Sequence, residues 1–432
     1  MSANPATQQP GGSAETINMR GSEFTEYPFR VIERIRAAGG SAPVLFVDNQ
    51  AARAFVDDAD VRTILSDRRF VVDADNAPDG PTGVRRSHAL KSLGIRPDLV
   101  TYLTESLLDK DGADHARLRK LVSRTFTVRR VNELRPSVER IAADLLAALP
   151  SHADGDGVVD LIEHFAYPLP ITVICDLVGV PEADRAQWLV WSHQLSRFDP
   201  SRPEVMNEIL GALIDHIKEM IAERQEKPCE DFLDALIGVR DEGGGRLTEN
   251  ELVTLVFTLV IAGHETTAHL LGNGTRALLE NPDQLALLRS DPSLLTAAVH
   301  EMLRLGGTAV TAKARYATED VQLGTGKVSA GERAVAIVAG ANHDPSIHPE
   351  PGRFDVTRHH GRPGEAHVAF GHGMHYCLGA ALARQEAEVA FDALFRTFPA
   401  LSLVPGRPPV PDTVPGTLRL SELPVRLGGT TA

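Results

Sequence analysis

Apolar residues recur at three- and four-residue spacing from Val131 to Leu149 and again from Glu208 to Ile221, the repeat of helices with one buried face. A longer stretch starts at Thr248-Glu249-Asn250-Glu251, where Thr248 and Glu251 can satisfy each other's exposed amides as a capping box. It reaches Asn281, just ahead of Pro282, giving about 34 residues or ~50 Å of helix. Its centre is apolar on nearly every face, so it is expected to run through the inside of a large body. Strand signals are fewer. Ala42–Val47 and Arg333–Val338 are short β-branched runs, the second behind the turn Ser329-Ala330-Gly331, and Asp320–Gly326 is expected to pair with it. The predicted fold class is mainly α with small peripheral β-sheets.

Residues 1–24 are rich in Ser, Ala, Thr, Gln and Gly without apolar periodicity, and read as a disordered leader. Beyond them no linker separates autonomous units, and Glu242–Gly245 is only a tight loop, so 25–432 is expected to be one large domain. With 44 basic and 58 acidic side chains the net charge is −14, which counts against nucleic acid as a partner. The longest apolar stretch, Leu252–Gly263, is too short to cross a bilayer, and no signal peptide is visible. A cytoplasmic protein with no membrane partner is expected. Three cysteines in 432 residues suit a reducing compartment and exclude a disulfide scaffold.

Those cysteines have different settings. Cys175 lies in the apolar helical run Ile171–Val178 and is expected in the core; Cys229 lies in a polar turn. Cys377 closes Phe370-Gly-His-Gly-Met-His-Tyr-Cys and opens an amphipathic helix expected over Leu378–Phe395. Gly371 and Gly373 let the chain turn sharply and lie against something flat. A cysteine beside a helix N-terminus is favoured as thiolate, and a thiolate covered by Phe370 is a good axial ligand for haem iron. A buried structural cysteine, and zinc held by His372, His375 and Cys377 with His367 as a fourth ligand, are the competing readings.

Phe370-Gly-x-Gly-x-His-x-Cys-x-Gly resembles the haem-binding signature of the cytochrome P450 superfamily, with every fixed position filled. Upstream, in order, stand further segments that resemble that family: His115-Ala-Arg-Leu-Arg119, Ala262-Gly-His-Glu-Thr-Thr267, Glu301-Met-Leu-Arg304 and Pro351-Gly-Arg353-Phe-Asp. The resemblance runs from about Glu26 to the C-terminus and points to the soluble bacterial branch, with actinobacterial natural-product hydroxylases as the nearest group. It implies haem b (iron protoporphyrin IX) bound through Cys377 in a single domain around the long helix. It further implies cleavage of dioxygen with two electrons and two protons, one oxygen atom leaving as water and the other entering a C–H or C=C bond.

The resemblance also implies roles. Ala262 and Gly263 open a groove for dioxygen, Thr266 hydrogen-bonds it, and Glu265 relays protons. His115, Arg119, Arg315 and His375 hold the haem propionates. Glu301, Arg304 and Arg353 form a buried network under the cysteine loop. A separate ferredoxin with its reductase supplies electrons, and the cations Arg117, Arg119, Lys120, Arg124, Arg129 and Arg130 are a candidate docking patch. The substrate is expected to be a bulky hydrophobic small molecule of natural-product or xenobiotic metabolism, bound by a monomer. Recognition is assigned to Ala77–Leu108, Ser192–Asn207, Val260, Ala309 and Val310. The chain departs from the family in Leu305-Gly-Gly-Thr-Ala-Val-Thr311, which is small and lacks proline, and in Asp111-Gly-Ala-Asp114. A peroxide-driven peroxygenase and a zinc-stabilised binding protein are the alternative functions.

Overall fold

The computed structural model describes residues 16–46, 49–78, 86–195, 202–240 and 244–428. Its axis is the helix Glu249–Glu280. The expected capping box starts it: the Thr248 hydroxyl accepts from the Glu251 amide (3.2 Å) and the Glu251 carboxylate from the Thr248 amide (2.8 Å). Helices Pro168–Val178, Pro203–Glu226, Leu295–Gly306 and Ala380–Thr397 pack around it. By length and composition it is the one helix among the described residues able to cross a membrane, so the shorter apolar stretch read from sequence understated it; most of its apolar window is buried in the fold. The expected helices at Val131–Leu149 and Glu208–Ile221 are Val128–Ala148 and part of Pro203–Glu226.

A six-stranded sheet flanks this helical body, in the order Ile17–Asn18, Ser41–Leu45, Ala51–Phe55, Arg333–Ala336, Arg315–Ala317, Phe70–Val71. Arg333–Ala336 runs parallel to Ala51–Phe55 and antiparallel to Arg315–Ala317, so both of its edges are taken. The expected partner, Asp320–Gly326, instead forms a two-residue hairpin in which Val321 faces Val328. The leader is shorter than expected. Ile17–Asn18 pairs with Val44–Leu45, and Met19 and Phe24 are buried against the sheet; two strand residues are too few to show a period in sequence. Residues 1–15 lie outside the described residues.

Candidate functional site

The cysteine loop is built as its glycines require. Gly371 and Gly373 have φ of +76° and +71°, and a Cβ on Gly373 would stand 2.7 Å from the Ser66 Cα. The loop therefore rests directly on backbone of the helix Asp58–Ser66. The Cys377 amide donates to the Phe370 carbonyl at 2.9 Å, closing the loop, and the following helix begins at Ala380. Burial pushes the Cys377 thiol up, against the Gly379 amide directed at the sulfur and the Arg119 and Arg384 guanidiniums. Burial is the largest of these influences.

Four basic side chains gather beside this loop. His115 and Arg119, one turn apart on the helix Gly112–Thr125, bring His115 against His375 with ring centroids 4.2 Å apart. Arg315 is 5% exposed, bonds the Lys313 carbonyl at 2.9 Å and has no ion pair with a carboxylate among the described residues. Burial, then the neighbouring Arg315 and His115, depress His375 to about 3, and burial lowers Arg315 to about 10. The Nε2 atoms of His115 and His375 are buried without a partner. A buried guanidinium, the half-buried Arg119 and orphaned imidazole nitrogens call for anionic acceptors, and the two propionates of haem fit. Asp111, in the departing segment, is engaged elsewhere: it accepts from the amides of Val72 and Asp73.

The long helix is buried on most faces, but Ala262 and Thr266, four residues apart, are exposed at its centre. The Thr266 hydroxyl donates to the Ala262 carbonyl at 2.9 Å, which leaves its oxygen free to accept. Gly263 does not belong to this opening. It faces the neighbouring helix, where a Cβ would meet Ile174 at 2.8 Å, so its role is close packing. Glu265 is ion-paired with Arg419, which also reaches Asp412 at 3.2 Å. Burial raises the Glu265 acid and Arg419 partly restores it. Sequence reasoning missed Arg419 and Asp412, because no local pattern ties them to a helix 150 residues earlier.

A family model described as cytochrome P450 matches residues 181–424. Vitamin D(3) 25-hydroxylase of Pseudonocardia autotrophica is 42% identical over 77% of this chain and 80% of its own length. 6-Deoxyerythronolide B hydroxylase of Saccharopolyspora erythraea is 42% identical over 72% of this chain and 75% of its own. The chain belongs to the cytochrome P450 family. Its fold matches the ligand-free P450 monooxygenase TamI with a TM-score of 0.83, at 37% identity over 96% of this chain and 95% of that one. The P450 fold binds haem b through a cysteine thiolate, and the chain is a P450 monooxygenase by family.

The network under the cysteine loop of this P450 differs from expectation in one member. Glu301 and Arg304 are 0% and 1% exposed and meet through two bonds of 2.8 Å. The third cation is Arg358, whose Nε donates to Glu301 at 3.0 Å, with His359 3.2 Å away. The Arg353 side chain points to solvent from its turn and pairs with Glu350; only its backbone carbonyl joins, accepting from Arg304.

The pocket residues separate in the same way. Val260 and Val310 are each 1% exposed and packed in separate core clusters. Ala309 is half-buried and bridges Thr417. The small segment after Arg304 is held by main chain. Val310 donates to the Gly416 carbonyl (2.9 Å), Leu418 to that of Thr308 (2.7 Å), and Asn273 caps the Gly306 and Leu418 carbonyls. The recognition segments carry the helices Arg86–Ser92 and Pro97–Thr104, and Asn207 is bonded to Gly94 and Arg96. Their residues 79–85 and 196–201, like 241–243 of the tight loop, lie outside the described residues.

His264, left without a role by the sequence, is buried. Its Nδ1 donates to the Val260 carbonyl at 2.6 Å and its Nε2 meets the Ser192 hydroxyl. The zinc ligands are drawn apart: His367 meets His300 at 3.0 Å while His375 lies on His115. Among the described residues no cluster of three or more such side chains is placed to hold a metal. Cys175 is buried with its thiol pushed up to about 12, and Cys229 is exposed, both as expected. The run of six cations is dispersed. Arg117 pairs with Glu251, Arg119 turns to the cysteine loop, Arg130 lies over Phe232, and Lys120, Arg124 and Arg129 are exposed.

Proposed function

We propose that this P450 inserts one atom of dioxygen into a bulky hydrophobic natural product, by hydroxylation or epoxidation, with Cys377 as the iron ligand. The observation that carries the site assignment is the cluster of His115, Arg119, Arg315 and His375 beside Cys377, whose buried Arg315 and unpartnered imidazole nitrogens match two propionates. Bound haem supplies the redox chemistry that splits dioxygen. The chain's own residues do the rest. Phe370 covers the loop, and Gly371 and Gly373 hold it flat. Ala262 leaves room over the metal face, while Thr266 offers an oxygen one helical turn away. Glu265 carries protons from the Arg419–Asp412 side of the helix to Thr266.

The substrate class is supported by the small residue Ala262 at the opening and by relatives whose names describe hydroxylation of 6-deoxyerythronolide B and of vitamin D(3). Two electrons arrive from a separate ferredoxin and its reductase, with Lys120, Arg124 and Arg129 as the exposed cations offered to an acidic donor. The protein is read as a cytoplasmic monomer. The test is a carbon monoxide difference spectrum of the reduced protein, followed by spectral titration with macrolides, sterols and hydrophobic peptides. Thiolate-type absorption and a spin-state shift with one of these classes are expected. Imidazole-type absorption would refute the assignment of Cys377.

A further inference from the structure

One buried group of the long helix has no place in the scheme above. His269 is 2% exposed, and both of its ring nitrogens lack a hydrogen-bond partner. A neutral imidazole carries one donor and one acceptor, and leaving each unmade in a dry interior costs about 1–3 kcal/mol. The ring is neutral, depressed to about 3 by burial, then by the Arg419 charge and His264. A leucine there would avoid that cost, so a purely structural account of His269 is unfavourable.

Its position suggests what the nitrogens serve. His269 follows Glu265 by four residues and Thr266 by three, so it is a helical neighbour of each, with Cβ atoms about 5–6 Å away. Across from them stands Tyr167, its ring 6.3 Å from His269 and 5.5 Å from His264. The exposed His193 packs edge-on against the same tyrosine at 5.7 Å. Aromatic and imidazole groups therefore lead from the exposed His193 through Tyr167 to His269, which shares the Arg419 charge with Glu265. A polar site with two orphaned ring nitrogens and a carboxylate one turn away has the two to four partners that an ordered water requires.

We propose that His269 is a positioning residue for proton supply, holding water that refills Glu265. The inference rests on the role given to Glu265 in the preceding subsection. For each proton that leaves Glu265 toward Thr266, one reaches its carboxylate from water bonded to His269. That water is reprotonated from solvent; no electron moves in the step, and the imidazole ends as it began.

The test uses the haem-loaded protein with a plant-type ferredoxin and its reductase as electron source and no added substrate. Parent, His269→Leu, His269→Gln and Thr266→Ala are compared for oxygen consumption, electrons used per oxygen, solvent deuterium isotope effect and urea midpoint. His269→Leu is expected to match or exceed the parent in stability and to keep the thiolate-type carbon monoxide spectrum. Its oxygen consumption should fall about tenfold, the effect of losing an outer-sphere partner, with a larger isotope effect. His269→Gln, which can still hold water, should recover most of the rate. Should the leucine variant fail to fold, His269→Met carries the same expectation. Unchanged rate and isotope effect in the apolar variants, with Thr266→Ala altered, would overturn the inference and leave the proposed function intact. A parent protein without the thiolate-type spectrum would overturn both.

Discussion

Replacing Glu301 by glutamine keeps the shape of the side chain and removes its charge. The carboxylate accepts from Arg304 Nε and Nη2 (2.8 Å each), from Arg358 Nε (3.0 Å) and from the Asp355 amide (3.1 Å), with no exposure to water. Burial favours its neutral form; Arg304, His359 and Arg358 outweigh burial and hold the acid at about 2 rather than 4.5. That displacement corresponds to ~3 kcal/mol. Removing one partner of a buried ion network costs on the order of 3–5 kcal/mol, since both guanidiniums stay behind in a dry interior. Against a typical net stability of about 5–15 kcal/mol, little margin is left. A folded-state pKa below the ordinary value means this stabilisation is fully present above about pH 4.5 and disappears as pH falls through about 2. Urea midpoints and haem content at pH 7 and at successively lower pH measure both effects. Glu301→Gln is expected to lose several kcal/mol and most of its haem at pH 7, and to lose less than the parent on acidification. A variant within ~1 kcal/mol of the parent, fully loaded with haem, would refute the network as the support of the cysteine loop.

Four further outcomes follow from the site. Thr266→Ala should raise peroxide released relative to product formed, measured with a substrate found by spectral titration; unchanged coupling removes Thr266 from proton delivery. Arg419→Leu takes away the charge that lowers the Glu265 acid, so Glu265 stays protonated to higher pH and the acidic limb of the turnover profile should move upward. Gly373→Ala meets both a φ of +71° and Ser66 at 2.7 Å, whereas Gly361→Ala meets only a φ of +69°; haem content should drop in the first variant far more than in the second. Turnover with a ferredoxin should slow as ionic strength rises if Lys120, Arg124 and Arg129 guide docking, and a flat salt response removes that role.

What the chain declares locally was readable in advance. The capping box at Thr248 and the proline at 282 fix the ends of the long helix, and Gly371 and Gly373 announce the turn before Cys377. What depends on distant partners was not. Arg358 and Arg419 look like ordinary surface cations until the fold brings them to Glu301 and Glu265. Arg353 sits inside a recognisable motif yet faces water, because its turn presents the carbonyl inward. Helical geometry would have corrected two assignments: Ala262 and Thr266 share a face, while Val260 and Gly263 lie on others. The leader was overextended because a two-residue strand leaves no periodic trace.

The pairing of residues 308–311 with 416–418 has a consequence for how this enzyme can diversify. The segment there keeps its course through amide–carbonyl bonds and the Asn273 cap, none of which depends on which side chains project from it. Its course and the side chains it carries are thus under separate control. The bonds that hold this short, proline-free stretch use its main chain, so a change of side chain at position 309 leaves each of them a donor and an acceptor.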